Sequence, residues 1–358
     1  MKKKTKSPYK GKIALIVILS ILLLATGGFA FLYRHYLDQL EPVSEQSEEI
    51  AFTIEENSTM NAIINKLYDE GLIRNKDMAK IYVKLNRKNS YYAGNFILNR
   101  NMSFPQIMDT ISDMSKASRD QVSVTITPGS WAKHAAAAIA EKTNLTAEEI
   151  LAKWDDPAYV DTLIKKYEVL SEDIFNSERC YLEGYIFPET YKFYENTTVE
   201  QVTEKILDQT EKIYEKYKDK IGSSEFSTHE VFTLASVILF EANTEEDMLN
   251  VSGVFYNRFA KGMKMQSSVT VCYALYQYDN WSDCEKNSLV VDSKYNTYLY
   301  PGLPIGPVCN PTEAAIKAAV EPAQNDYYYF VADLTSGRCV FAKTYEEHLK
   351  NIKKYLGK

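Results

Sequence analysis

Glu241 closes a run with almost no polar face: Val231, Leu234, Ala235, Val237, Ile238, Leu239 and Phe240 precede it. Their spacing predicts a buried helix from His229 to Glu241, with the carboxyl group at its C-terminal end. Burial disfavours the charged carboxylate, and the partial negative charge of a helix C-terminus disfavours it further. A carboxyl group kept protonated near neutral pH is what a general acid for glycosidic cleavage needs. The plain alternative leaves Glu241 in solvent at the helix end.

Downstream, Thr244 and Asp247 are placed to cap a helix carrying Met248, Val251, Val254, Phe255 and Arg258 on one stripe. Met265-Gln266-Ser267-Ser268-Val269-Thr270 follows as a polar cluster able to hold sugar hydroxyls or amides, or to form an ordinary surface loop. Tyr295-Asn296-Thr297-Tyr298 then leads into Gly302-Leu303-Pro304-Ile305-Gly306-Pro307, a stiff irregular loop of the kind that often lines a site. Asn310-Pro311 reads as the N-cap and first-turn Pro of a helix through Val320. A hairpin from Tyr327 to Phe341 and a helix over Tyr345 to Tyr355 close the chain.

The chain has 358 residues, with 45% hydrophobic and 25% charged residues, so it is globular and long enough for two or three folded units. Its 41 Lys and Arg face 48 Asp and Glu, a net charge of −7. Six cations (Lys2, Lys3, Lys4, Lys6, Lys10, Lys12) precede the first apolar run, so the other 35 against 48 acids leave the body at −13. An acidic body argues against nucleic-acid binding. The five Cys and four His form no zinc pattern, and no metal or cofactor is expected. Cys272 and Cys284 can pair in an oxidising compartment; free, partly buried thiols are the other reading.

Ile13 to Tyr33 is 21 uncharged residues, enough for a helix that crosses a bilayer; the competing reading is a cleaved signal peptide, whose apolar run is about 7–15 residues and whose small-x-small site Gly27-Gly28-Phe29-Ala30 matches poorly. The basic tail over 1–12 should stay in the cytoplasm, placing the rest outside a cell membrane crossed once. Residues 34–50 read as a polar spacer. Over 51–120, a strand at Phe52 is followed by a helix from Met60 to Tyr68, a second around Met78 to Leu85, a strand at Tyr92 to Leu98 and a third helix. Val122 to Ile126 alternates as a strand that opens the region 121–358, and Thr146 to Glu149 resembles a capping box. The Tyr181 to Tyr191 segment is aromatic, suited to stacking on sugars or to ordinary packing. The expected fold class is α+β: a transmembrane helix, a small module and a C-terminal α+β region.

Five segments in order resemble the YceG-like endolytic murein transglycosylases. They are Leu182-Glu183-Gly184-Tyr185-Ile186-Phe187-Pro188-Glu189-Thr190-Tyr191; Leu234-Ala235-Ser236 to Glu241-Ala242; Val254-Phe255-Tyr256-Asn257-Arg258; Asn296-Thr297-Tyr298 to Asn310-Pro311; and Tyr329-Phe330-Val331-Ala332-Asp333. The resemblance implies a lytic transglycosylase that cuts MurNAc–GlcNAc linkages in nascent peptidoglycan strands. One acid protonates the leaving oxygen and then acts as base on the MurNAc C6 hydroxyl, giving a 1,6-anhydro end. By that resemblance Glu241 is the acid/base, and Asn257, Gln266, Ser267, Asn296 and Tyr298 are the substrate-binding residues. Residues 51–120 become a LysM-like glycan-binding module, residues 121–358 the catalytic region, and cell-wall synthases a further class of partner. Three positions depart from the family pattern: Leu239 stands for a second Glu, Ser268-Val269 for Asp-Pro, and Cys339 for His. They motivate an alternative, a non-catalytic glycan-binding scaffold of the cell-wall synthesis machinery.

Overall fold

The computed structural model describes residues 26–117, 121–277, 281–333 and 335–357. The basic tail and most of the expected membrane segment lie outside these residues; residues 26–38 are helical. Among the described residues no helix is long and apolar enough to cross a membrane. The chain divides after residue 120 into two units.

In the first unit, β1 (Glu49–Ile54) pairs antiparallel with β2 (Gly94–Asn99), Phe52 opposite Phe96. Between them run α1 (Met60–Asp69) and α2 (Lys76–Asn86), and α3 (Phe104–Ile111) follows. Local chemistry sets the ends. Thr59 accepts from the Ala62 N–H to start α1, Asn75 accepts from Asp77 and Met78 to start α2, and Ser103 with Gln106 forms a capping box at α3. Ile63, Ile64 and Leu67 recur at helical spacing and join Phe52, Phe96, Leu98 and Ile107 in one core.

The second unit is helix-rich with two small sheets. β3 (Gln121–Thr125) pairs antiparallel with β4 (Thr190–Tyr194), and β5 (Tyr329–Ala332) pairs antiparallel with β6 (Cys339–Ala342). Helices α4 (Ala132–Ala140), α5 (Ala147–Trp154) and α6 (Pro157–Lys166) lie between β3 and β4 in sequence. After β4 come α7 (Val199–Gly222), α8 (Thr228–Glu241), α9 (Glu245–Ala260), α10 (Ser268–Leu275), α11 (Trp281–Lys286) and α12 (Glu313–Val320), with α13 (Tyr345–Tyr355) at the end. The centre is α8, buried at His229 and from Val231 to Ile238 and packed along α12 and α9. Burial on all sides explains why its sequence lacks a polar face.

One expectation shifts by two residues for a clear reason. The N-cap of α12 is Thr312, which accepts from the Ala315 N–H, and not Asn310. Asn310 is fully buried instead: its Oδ1 accepts from the Gly184 and Ile186 N–H groups at 3.1 and 3.0 Å, and its Nδ2 donates to the Ser130 carbonyl at 2.9 Å. It ties the Leu182–Tyr191 segment to the loop before α4. At Gly184 (φ 87°) a Cβ would lie 2.2 Å from Pro307 Cβ, so this junction admits no side chain. Tyr185 and Tyr191 are buried, with their hydroxyls bonded to His229 Nδ1 and the Phe187 carbonyl. These two rings are packing residues.

Cys272 in α10 and Cys284 in α11 form a disulfide, while Cys180, Cys309 and Cys339 carry free thiols. A covalent loop with a sequence separation of 12 contributes about 3 kcal/mol by loop-closure entropy. Reduction with dithiothreitol is therefore expected to lower the urea midpoint of the second unit. The double variant Cys272→Ala/Cys284→Ala should show that lower midpoint already and not respond to reductant.

Candidate active site

Glu241 is the last residue of α8, and Ala242 in extended backbone caps the helix. It is only half-buried as a residue, but apolar surroundings push its carboxyl pKa above the ordinary value. A hydrogen bond from Ser267 and the charge of Arg258 oppose that rise. Ser267 Oγ donates to Glu241 Oε1 at 2.6 Å, a short contact across 26 residues of sequence.

The Ser267 hydroxyl is held by its own backbone. Its N–H donates to Thr297 Oγ1 at 3.1 Å, and the neighbouring Gln266 N–H donates to the Thr297 carbonyl at 3.3 Å. Gln266 itself adopts a left-handed conformation (φ 53°), which a non-glycine residue takes at some cost. Its side chain is exposed, next to the Glu241–Ser267 pair in sequence.

Arg258 from α9 is 8% exposed. Its Nε donates to the Tyr328 carbonyl at 2.7 Å and its Nη1 donates to the Met265 carbonyl. It thus pins the backbone two residues before Ser267, and its charge acts through space on Glu241. The rings of Tyr329 and Tyr298 also sense this cation. Tyr298 is half-buried, and burial, then the charge of Glu241, pushes its hydroxyl up to about 12. That hydroxyl stays protonated at neutral pH and can donate a hydrogen bond.

The hairpin closes the same end of α8. Cys339 Sγ makes a weak hydrogen bond to the Glu241 carbonyl at 3.4 Å, and its N–H donates to Asp247 Oδ2 at 3.3 Å. Asp247 is buried and also accepts from Arg338 Nε at 2.7 Å. The departure at Cys339 therefore lies at the site itself.

Of the residues singled out by sequence, Glu241 and Ser267 are hydrogen-bonded, Gln266 directly precedes Ser267 in the chain, and the Glu241 charge acts on the Tyr298 hydroxyl. The Asn257 and Asn296 amide nitrogens make their hydrogen bonds within the fold, Asn257 half-buried and Asn296 fully buried. The Asn257 amide is spent on the Asn325 and Tyr327 carbonyls and Asn325 Oδ1. Asn296 is fully buried, its Nδ2 donating to the Ser288 and Val291 carbonyls at 2.9 and 2.8 Å and its Oδ1 accepting from the Tyr298 N–H at 3.0 Å. Both build the walls: Asn257 anchors the approach to the hairpin, and Asn296 orients Tyr298.

Two charged residues were not singled out as site residues. Arg258 was visible as a cation on an otherwise apolar stripe, which signals a buried partner. Glu183 sits in the Leu182–Tyr191 segment but gives no local sign of burial. It is 2% exposed, and its carboxylate accepts from the Ala132 N–H at 3.0 Å and from the Tyr273 hydroxyl at 3.1 Å. Burial raises its pKa to about 8, against those two bonds. A folded-state pKa above the unfolded value gives stability that is complete below the unfolded pKa and lost as pH rises through the folded one. Between about pH 4.5 and pH 8 the native state should lose on the order of 4–5 kcal/mol through this group. Glu183→Gln cannot ionise, so its unfolding free energy should gain on that of wild type across this window. Parallel pH profiles in urea would refute the assignment.

A sequence model of the YceG-like family matches residues 52–354. The chain belongs to the YceG-like family. It is 34% identical to a Bacillus subtilis (strain 168) protein named endolytic murein transglycosylase, over 92% of this chain and 91% of that one. A Streptococcus pneumoniae serotype 2 (strain D39) protein of the same name is 30% identical, over 94% of this chain and 64% of that one. Among solved structures, the crystal structure of a YceG-like protein from Listeria monocytogenes superposes with a TM-score of 0.58 at 32% identity. It covers 85% of this chain and 99% of that chain. The mixed, helix-rich α+β architecture is thus that of the YceG-like fold, and Glu241, Ser267 and Arg258 all lie inside the family match.

Proposed function

We propose that this chain is an endolytic murein transglycosylase with Glu241 as its single acid/base. The observation that carries the reading is the Glu241–Ser267 pair: a carboxyl group biased toward its protonated form and held in one rotamer by a 2.6 Å bond. The names of the Bacillus and Streptococcus relatives supply the substrate.

Protonated Glu241 gives its proton to the oxygen that bridges MurNAc C1 to GlcNAc, and the C1–O bond breaks. The resulting carboxylate is stabilised by Ser267 and by the nearby Arg258 charge. It then takes the proton of the MurNAc C6 hydroxyl as that oxygen bonds to C1. The product ends in a 1,6-anhydro ring, Glu241 is protonated again, and water takes no part. A second nucleophilic carboxylate, as in retaining hydrolysis, is not required. Tyr298 and Gln266 hold the saccharide beside the carboxyl group.

The apolar segment at Ile13 to Tyr33 would anchor the chain in the cell membrane, with the N-terminus cytoplasmic and the catalytic unit outside. The first unit, with its β-α-α-β order, would be a LysM-like module that holds glycan strands, and cell-wall synthases would be neighbours at the membrane. The test is product chemistry. Digestion of purified glycan strands in ¹⁸O-labelled water should release anhydro-ended fragments without label. Labelled reducing ends would mean hydrolysis and would overturn the mechanism.

A further inference from the structure

An opening lies at the end of α8 away from Glu241. A cavity of about 240 Å³ is walled by Phe226, Phe259, Met263, Pro301 and Leu303, with Glu230 among its lining residues. That volume is below the range of drug-sized sites and suits one side chain. Glu230 Oε2 accepts from the Ser227 N–H at 2.8 Å as part of the helix cap. Its Oε1 accepts no hydrogen bond among the described residues, and Glu230 is exposed.

Two chain segments lead from this cavity to Glu241. Residues 262–267 run from Gly262 and Met263 at the cavity to Ser267 at the Glu241 carboxyl. Residues 297–303 run from Tyr298 beside Glu241 to Pro301 and Leu303 at the cavity. They are bonded to one another along the way. Gln266 donates to the Thr297 carbonyl, and Lys264 Nζ donates to the Tyr298 and Leu299 carbonyls at 2.9 and 3.0 Å. Glu230 and Glu241 are eleven residues apart on α8, about three turns, so they project from one side of the helix roughly 16 Å apart.

We propose that the Glu230 cavity is a subsite for the peptide branches of the glycan substrate, and that it takes an alkylammonium side chain. The walls are apolar and the lining offers a single carboxylate. A sugar unit, with polar substituents around most of its rim, would find too few hydrogen-bond partners there. An aliphatic chain ending in an amine fits both the walls and the charge. The span fits as well, since a branch of about five extended residues reaches roughly 16 Å.

This deepens the transglycosylase reading and rests on it for the identity of the substrate. The full chain would be given glycan strands carrying peptide branches and the same strands stripped of them by an amidase. Wild type should show a lower KM for branched strands. Glu230→Gln keeps the helix-cap oxygen but loses the charge; with Met263→Ala it should raise that KM roughly five- to tenfold. Neither variant should change kcat or the KM for bare strands. Equal KM values for the two substrates in wild type would overturn the subsite, as would equal effects of the variants on both.

Binding separates this from failure of the enzyme reading. A synthetic tetrapeptide with a free lysine amine should bind wild type and Glu241→Gln alike by calorimetry. It should bind Glu230→Gln weakly, and its Nε-acetylated form should bind none of them well. Absence of binding, or binding indifferent to acetylation, sinks the subsite even if strands are cut.

Discussion

Glu241→Gln should lower the rate of anhydro-end formation by about 10²–10⁴-fold, the usual worth of a positioned acid/base. The amide neither donates a proton to the leaving oxygen nor accepts one from the C6 hydroxyl, so both halves of the reaction stop at one atom. The fold should survive, because the Gln Oε1 can still accept from Ser267 Oγ. Stability should move in the opposite direction from activity. The wild-type carboxyl has a raised pKa, so ionising it costs stability as pH rises through that pKa. The amide is spared that cost, and the variant should unfold at a higher urea concentration than wild type above neutral pH. Steady-state rates with mass analysis of products, beside urea melts at pH 5 and pH 8, check both halves. Retained cleavage, or a variant that simply unfolds, would contradict the site.

Arg258→Met should have the second-largest effect, of about 10²-fold on kcat/KM, with a stability loss of about 3 kcal/mol. The stability term follows from two carbonyls, Tyr328 and Met265, left without their donor in a buried place. The kinetic term has a signature that structural damage would not produce. Glu241 must be protonated to act as the acid, so activity falls as pH rises through its pKa. The Arg258 charge favours the carboxylate and lowers that pKa. Removing the charge raises it, and the alkaline limb of the pH–rate profile should move to higher pH while the maximum drops. Arg258→Lys keeps the charge but not the forked donors. It should leave the limb in place with an intermediate rate. A uniform drop at every pH in both variants would mean that Arg258 acts on the backbone alone.

The two effects share one chain of contacts. Arg258 holds the Met265 carbonyl, Gln266 takes a left-handed backbone next to it, and Ser267 emerges aimed at Glu241. Backbone strain at Gln266 is offset by the hydrogen bonds to Thr297 on one side and Arg258 on the other. Leu239, one of the departures from the family pattern, lies near Gly129 and Phe240 in an apolar setting. An acid there would place a second negative charge two residues from Glu241.

Much of this molecule is legible in its residue order. The apolar run before Glu241 specified a helix buried on all sides, since no polar face exists to meet water. Thr146 and Thr244 marked helix starts, because capping is a contact between residues three apart. The order of motifs also placed the chain in its family. What tertiary structure decided is which distant groups meet. Ser267 reaches Glu241 across 26 residues, Arg258 reaches the Tyr328 carbonyl across 70, and Glu183 meets the Ala132 N–H across 51. Asn257 and Asn296 looked equally fit to hold a sugar, but folding spent their amides on backbone carbonyls. Periodicity and capping are short-range and can be read along the chain. Hydrogen-bond partners, burial and the pKa of a carboxyl group depend on what the fold brings alongside, and no local pattern encodes that.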